Sequence, residues 1–391
     1  MTSVPEPDRG PYLTFAVIAG SVIANIYFFQ PILPRIVADL GAPESSMGLI
    51  PGFTLAGFAC GLATLVPLGD SVQRKTLVIT QIGFAALFAL AFGAAPTFPA
   101  LLAAAFGLGV VCCVPQQLVP FAAALARPES RGRAVGVVVS GIMFGLLAGR
   151  TVGGALSAVI GWRELFALDA AFMVALVGIA WRVLPRVKPA TDLSYARLMA
   201  SLPGLARAHP TLRRAMATQA LAWVAFNAFW AALASMLQQS WGLGSFWAGA
   251  FGLVGLVGAV AASGGGRAAD RIGSHRVLIF SFAMIALGYV AMAAATFSMV
   301  ALVVGVIALD LGCQSALVAN QTRVFALDPH AQGRLNTLYM VSTFVGGAIG
   351  AALSGYAYAH WGWNGVVALG LAAGVGALAV HLWPARAPGR R

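Results

Sequence analysis

The sequence predicts an all-α membrane protein, with twelve transmembrane helices in two six-helix bundles and both termini cytoplasmic. Three observations lead to this fold class. First, 60% of the 391 residues are hydrophobic and 9% are charged, where a soluble domain carries about 25% charged residues. Second, the mean hydropathy of +0.86 over the whole chain leaves little room for a large aqueous domain. It accompanies apolar runs of the roughly 20 residues that one crossing needs. Third, when twelve such runs are threaded through a bilayer from a cytoplasmic N-terminus, all of the 24 Lys and Arg except Arg35, Arg150 and Arg163 fall on the cytoplasmic side. That asymmetry is the positive-inside signal, and an odd number of spans would destroy it. It also accounts for the net charge of +12 without nucleic acid. A transmembrane β-barrel would show strands of about ten alternating residues instead of long apolar runs.

The elements follow in order. The start, "MTSVPEPDRG", has no basic leader and no small-residue cleavage site after it, so residues 1–10 read as a cytoplasmic N-terminus and the first apolar run as a retained span. Six spans are expected near 11–34, 47–68, 76–94, 100–126, 134–159 and 164–184, making an N-terminal bundle over 11–184. The longest polar stretch, 185–214, is a cytoplasmic linker, and "LSYARLMASLPGLAR" within it is either an amphipathic helix or a simple tether. Six more spans near 215–238, 246–266, 277–295, 299–322, 335–359 and 365–383 make a C-terminal bundle over 215–383, and 384–391 is a cytoplasmic tail. Cys60, Cys112, Cys113 and Cys313 all lie inside apolar runs with no C-x-x-C pair. They read as packing residues and not as disulfides or metal ligands.

The two halves repeat. Pro128, Gly132 and Arg133 parallel Pro329, Gly333 and Arg334, and Gly145 and Gly149 parallel Gly346 and Gly350, all at an offset of 201. Asp70 parallels Asp270 and Asn25 parallels Asn227 at nearly that offset. Six spans per repeat put the halves in the same orientation, and parallel repeats of this kind place a binding site near the membrane midplane between the halves.

Several polar residues lie where hydrocarbon is expected. Asp310 is 11 residues into its span, about 16 Å deep in a core about 30 Å thick, where an aspartate costs about 2.5–3.5 kcal/mol on insertion scales. A carboxyl so placed can bind and release a proton as water access changes, or hold two helices together by a hydrogen bond. Gln314 and Gln321 follow near the same helix face. Arg150 and Asp169 flank the turn at Gly161 and are expected to pair, with Asp310 as the rival partner of Arg150. These three, Asp310, Arg150 and Asp169, are the proton-coupling candidates. Substrate-binding candidates are Asn25, Tyr27 and Gln30 on span 1, Gln116 and Gln117 on span 4, Trp223, Asn227 and Trp230 on one face of span 7, Gln314 and Gln321 on span 10, and Asn336 and Tyr339 on span 11. An aromatic face with one amide suits a flat or hydrophobic cargo, although each aromatic taken singly fits packing. Gly141, Gly145, Gly149 and Gly153 recur every four residues, a spacing that lets two helix backbones approach closely.

No catalytic or metal set is present. There is no H-E-x-x-H and no G-x-S-x-G, the five histidines sit at loops or span ends, and "GGG" at 264–266 lacks the Lys-Ser/Thr of a P-loop. "NQT" at 320–322 fits a glycosylation sequon but lies at a cytoplasmic helix end. The chain is thus expected not to be an enzyme and to need no cofactor.

Over essentially its whole length the sequence resembles the major facilitator superfamily. The loop "VPLGDSVQRK" at 66–75 is similar to that family's signature between spans 2 and 3, with Asp70, Arg74 and Lys75 matching and Val66, Ser71 and Gln73 departing. A second copy at 266–276 keeps Asp270, Arg271 and Arg276. The resemblance implies that these six residues latch the cytoplasmic face; the alternative is a loop kept basic by topology alone. "GIMFGLLAGRTVGG" at 141–154 looks like the Gly-rich motif of the family's exporters, with Arg150 in place of the usual proline. "NIYFFQPILP", "GRTVGG", "LDLGCQ", "NQTR" and "RLNTLYM" resemble bacterial drug/proton-antiporter-like members. The family implies that spans 1, 4, 7 and 10 line a central cavity. It further implies a proton-coupled exporter of a small, partly hydrophobic molecule in the bacterial inner membrane, monomeric, driven by an ion gradient in the absence of an ATP site. An uptake or facilitative carrier for an amino acid, sugar or nucleoside is the alternative, and a non-transporting receptor or scaffold a third.

Overall fold

A computed structural model describes residues 10–187, 195–255, 272–328 and 331–383, apart from the Asp70 side chain. All the regular structure within them is helical: α1 (Tyr12–Ala24), α2 (Leu33–Asp39), α3 (Leu49–Ser71), α4 (Arg74–Gly93), α5 (Phe98–Val111), α6 (Val114–Leu125), α7 (Arg131–Ser157), α8 (Trp162–Val183), α9 (Tyr195–Ala208), α10 (Pro210–Trp241), α11 (Ser245–Gly255), α12 (Ser274–Met292), α13 (Met299–Phe325) and α14 (Gln332–Leu382). Nine helices among the described residues are long and apolar enough to cross a membrane.

Two expected spans are interrupted. Span 1 leaves α-helical geometry after Ala24 and passes through a short 3₁₀ turn, Gln30–Ile32, before α2. Span 4 breaks at Cys112–Cys113, between α5 and α6. Prolines explain both. Pro31 and Pro34, and Pro115 at the start of α6, lack the N–H that would bond one turn back, and their rings crowd that turn. Conversely, spans 11 and 12 run together as the 51-residue α14. At 1.5 Å per residue it would be about 76 Å long if straight, more than twice a bilayer core. It turns at Gly362, whose φ of 57° and ψ of −152° lie in a region open essentially to glycine alone. The linker stretch that admitted a helix or a tether is helical over α9.

The chain divides into two compact units. The first takes in residues up to Pro43, Phe53–Met199 and Leu243–Gly252; the second takes in Glu44–Gly52, Ala200–Gly242 and Leu253 onward.

In the first unit α7 crosses α1 on a ladder of glycines. A Cβ added at Gly141 would meet Ala16 backbone, one at Gly145 the Gly20 carbonyl oxygen at 2.0 Å, one at Gly149 Ala24 backbone and one at Gly153 Phe28 backbone. The four-residue spacing thus meets a four-residue spacing on its partner, so the backbones touch. An aromatic cluster closes one end of the unit. Phe92 stacks on Phe166 at 4.2 Å and meets Trp162 edge-on at 6.3 Å, and the Trp162 indole donates to Asp39 Oδ2 at 2.8 Å. Arg163 donates to the carbonyls of Gly93 and Ala95, both at 3.1 Å, placing a cation on the negative end of α4.

The second unit repeats the ladder. Gly346 meets Ala220 and Gly350 meets Val224. One turn on, Ser354 stands where a glycine would and donates its hydroxyl to the Ala228 carbonyl at 2.6 Å. Aromatic donors tie its helices to one another and to the turn after α12. Tyr289 bonds the Ala225 carbonyl at 2.6 Å, Trp363 that of Met292 at 2.7 Å and Trp241 that of Ala295 at 3.0 Å.

Candidate functional site

The first unit gathers its polar candidates around Arg150. The side chain is 3% exposed and follows Gly149 of the ladder on α7. Its Nε donates to Gln30 Oε1 at 2.8 Å, and its guanidinium lies 4.7 Å from the centre of the Tyr27 ring. A charge-assisted hydrogen bond and a ring face thus stand in for water around a buried cation. The interrupted helix of span 1 brings Tyr27 and Gln30 to it, because three-residue backbone bonds from Asn25, Ile26 and Tyr27 to Val22, Ile23 and Ala24 take the chain out of the α1 register.

The expected pair between Arg150 and Asp169 does not form. Asp169 is 6% exposed, its Oδ2 has no hydrogen-bond partner among the described residues, and it faces a groove between α1, α7 and α8. Similar depth along a helical hairpin does not decide direction around each helix axis, and here the two side chains point to different neighbours. Asn25 is fully buried, donating to the Ser21 carbonyl at 3.1 Å and toward Met173 Sδ. Gln117 donates to the Leu65 carbonyl at 3.3 Å. Gln116 is half-buried on α6.

The second unit gathers a different set. Asp310 is 3% exposed and Trp230 2%, and both face Gly255. A Cβ there would lie 3.2 Å from Asp310 Oδ2 and 3.0 Å from the edge of the Trp230 indole. From Trp230 a run of rings continues along α10, with Phe226 at 6.2 Å and Trp223 stacked on Phe226 at 5.3 Å. Asn227 donates to the Trp223 carbonyl at 3.1 Å and approaches Gly347. The face marked by Trp223, Asn227 and Trp230 is therefore continuous, and Phe226 is the ring that the sequence reading did not single out.

The remaining candidates in this unit lie apart. Gln321 donates to Asn336 Oδ1 at 2.9 Å, linking α13 to α14. Tyr339 is fully buried with Leu212, Ala215, Val324 and Leu335 and donates to the Leu317 carbonyl, the geometry of a packed side chain. Gln314 is half-buried on α13. Sequence reading also missed a buried amide cluster: Asn320 Nδ2 donates to Thr218 Oγ1 at 3.2 Å and Gln219 Oε1 at 3.3 Å, and all three residues are fully buried. The signal was present in "ATQA" and "VANQT", polar pairs set in apolar runs.

Of the latch residues, Arg74 Nε donates to the Gly69 carbonyl at 3.2 Å and Lys75 to the Trp181 carbonyl at 2.6 Å. Both place cations on C-terminal helix carbonyls. Arg276 is exposed. The Asp70 side chain, Asp270 and Arg271 lie outside the described residues. No group of three or more His, Cys, Asp or Glu among the described residues is arranged to hold a metal ion.

Comparison with known proteins places this geometry in context. The family model of the Major Facilitator Superfamily matches residues 15–326 and 216–391. The chain is 33% identical over 371 residues to the "Uncharacterized transporter YgaY" of Escherichia coli O157:H7, covering 94% of each chain. It is 35% identical over 375 residues to the "Probable transporter SCO4007" of Streptomyces coelicolor, covering 95% of this chain and 86% of that one. A chloramphenicol resistance protein of Streptomyces lividans is 26% identical over 244 residues, 61% of this chain and 60% of its own. Among solved structures, a bacterial homologue of the human lysosomal transporter Spinster superposes with a TM-score of 0.76 at 15% identity, covering 95% of both chains.

Proposed function

The chain belongs to the Major Facilitator Superfamily, and from that premise we propose that it exports a small, partly hydrophobic molecule in exchange for protons. Its family and relatives make it a multi-pass membrane transporter and not an enzyme. The finer reading adds twelve spans, with α14 counted as two, both termini in the cytoplasm of a bacterial cell, and residence in the inner membrane as a monomer. Residues 11–184 and 215–383 are its two bundles.

One observation carries the coupling reading: a carboxyl, Asp310, buried in the middle of α13 beside an indole and a glycine. Keeping a charge there costs about 2.5–3.5 kcal/mol on insertion scales, so a carboxyl at that depth is suited to bind and release a proton as water access changes. In the proposed cycle Asp310 takes a proton from outside and releases it to the cytoplasm as access to the site alternates. Each charge moved down the membrane potential contributes about 2.3 kcal/mol per 100 mV. The ring run Trp223–Phe226–Trp230 offers an apolar face for cargo in the same unit. The name of the chloramphenicol resistance protein supports export of a molecule of that kind.

The test uses proteoliposomes with an imposed pH gradient. The cargo is chosen by thermal-shift screening on the purified protein, starting from chloramphenicol. Asp310→Asn is expected to abolish gradient-driven flux while leaving cargo exchange measurable. Normal coupled flux in that variant would reject the role of Asp310.

A further inference from the structure

The groove that Asp169 faces belongs entirely to the first unit and is not used by the coupling reading. It has a volume of about 790 Å³, within the range of small-molecule sites. Val17, Phe28, Phe144, Val152 and Phe172 are the larger apolar side chains among its lining. Val17, Phe144, Val152 and Phe172 are all more than 40% exposed, so the groove opens outward along the helices. Gly20, Gly141 and Gly145 of the α1–α7 crossing also line it, and their close approach holds the two helices together along the groove.

Into this apolar surface the structure sets one carboxyl. Asp169 lies seven residues into α8, about 10 Å along the helix. It is 94% buried by its 6% exposure, and its Oδ2 lacks a hydrogen-bond partner. Arg150, the cation expected to neutralise it, is turned to Gln30 and Tyr27. Buried carboxyls are ordinarily paired or hydrogen-bonded. Ser21, Ser140 and Arg133, the last of these two residues past the start of α7, are the other polar residues of the lining, and a largely apolar groove with a few polar groups to fix orientation has the composition of a ligand site.

We propose that this groove binds a hydrophobic amine, its apolar body along α1 and α7 and its ammonium on Asp169. The chemistry selects an amine over other occupants. An acyl chain would fill the space but leave the carboxyl unanswered. A quaternary cation would answer the charge without a hydrogen bond, whereas a primary ammonium supplies N⁺–H donors to a carboxylate, among the strongest hydrogen bonds a protein makes. The groove is reached from the side of the helices, so such a ligand, already partitioned into lipid, would arrive without passing through water.

The experiment measures equilibrium binding of tritiated 4-phenylbutylamine to the purified full chain in lipid nanodiscs, against empty discs. Saturable binding is expected, displaced by the unlabelled amine and not by the uncharged isostere 4-phenylbutanol. Asp169→Asn is expected to weaken it at least tenfold. Val152→Trp, which narrows the groove at an exposed position and leaves the carboxyl in place, is expected to weaken it as well. The proposal is overturned by unchanged binding in Asp169→Asn, by equal competition from the alcohol, or by no saturable binding in the unaltered chain, which would mean that lipid holds the groove. The assay uses no gradient, so its outcome is separate from the flux test of Asp310: binding without coupled flux would sink the proposed function alone, and coupled flux without binding would sink this site alone.

Discussion

Replacing Gly145 by alanine adds a single carbon at the tightest point of the first unit's glycine ladder. That carbon would lie 2.0 Å from the carbonyl oxygen and 2.4 Å from the Cα of Gly20. Both are backbone atoms of a helix and cannot rotate away. Restoring ordinary contact requires α1 and α7 to separate by about 1.4 Å, well beyond what side-chain repacking absorbs. Separation at Gly145 also loosens the contacts of Gly141 with Ala16 and of Gly149 with Ala24 on either side. Overpacking by a methylene costs about 1–3 kcal/mol where side chains can yield, so a loss of about 3 kcal/mol is expected here. Gly136 is the internal control, because it lies on the same helix and has nothing within 4 Å of an added Cβ. There alanine removes a helix-weakening glycine, worth up to about 1 kcal/mol. Thermal unfolding in detergent, followed by intrinsic tryptophan fluorescence, reads the difference. Gly145→Ala is expected to melt roughly 6–12 °C below the parent, taking each unit as a domain of ordinary size, while Gly136→Ala melts no lower than the parent. Equal melting of the two variants would refute the close-approach argument for this crossing.

Two further outcomes follow from single sites. Gly362→Ala forces a Cβ onto a backbone at φ 57° and ψ −152° and is expected to cost about 1–3 kcal/mol, read as a lower melting temperature; an unchanged melt would mean that the turn in α14 does not require glycine. Around Arg150, Tyr27→Phe keeps the ring face and is expected to be nearly silent, whereas Tyr27→Leu removes it and is expected to cost about 1–2 kcal/mol. Equal melts for those two variants would show that the ring at 4.7 Å contributes nothing through its π face.

How much was legible in the sequence differs from one feature to the next. The Gly141–Gly153 spacing announced a tight helix crossing, because the period of an α-helix stacks every fourth residue on one side. The partner was not legible, since Ala16, Gly20 and Ala24 of α1 are themselves ordinary apolar residues. Asp310 and the Trp223–Trp230 face were visible as exceptions to composition and as a shared helical face. Gly255, which brings the two together, carried no signal, because a glycine in an apolar run has many uses. The breaks in spans 1 and 4 follow from prolines that hydropathy does not count. The Arg150–Asp169 pairing failed because depth along a hairpin is encoded in residue number, whereas direction around the axis depends on how neighbouring helices pack.

The chain alone determined the class of this protein, an all-helical membrane transporter: long oily runs over most of its length leave no room for a large aqueous domain. These are sums over many residues, so local irregularities average out. Only the tertiary structure decided which buried polar group meets which. A guanidinium finds a glutamine and a tyrosine, one carboxyl and an indole face the same glycine, and another carboxyl lines an oily groove. Those pairings depend on helix rotations of a few tens of degrees, set jointly by all the small residues at each crossing, and no single stretch of sequence contains them.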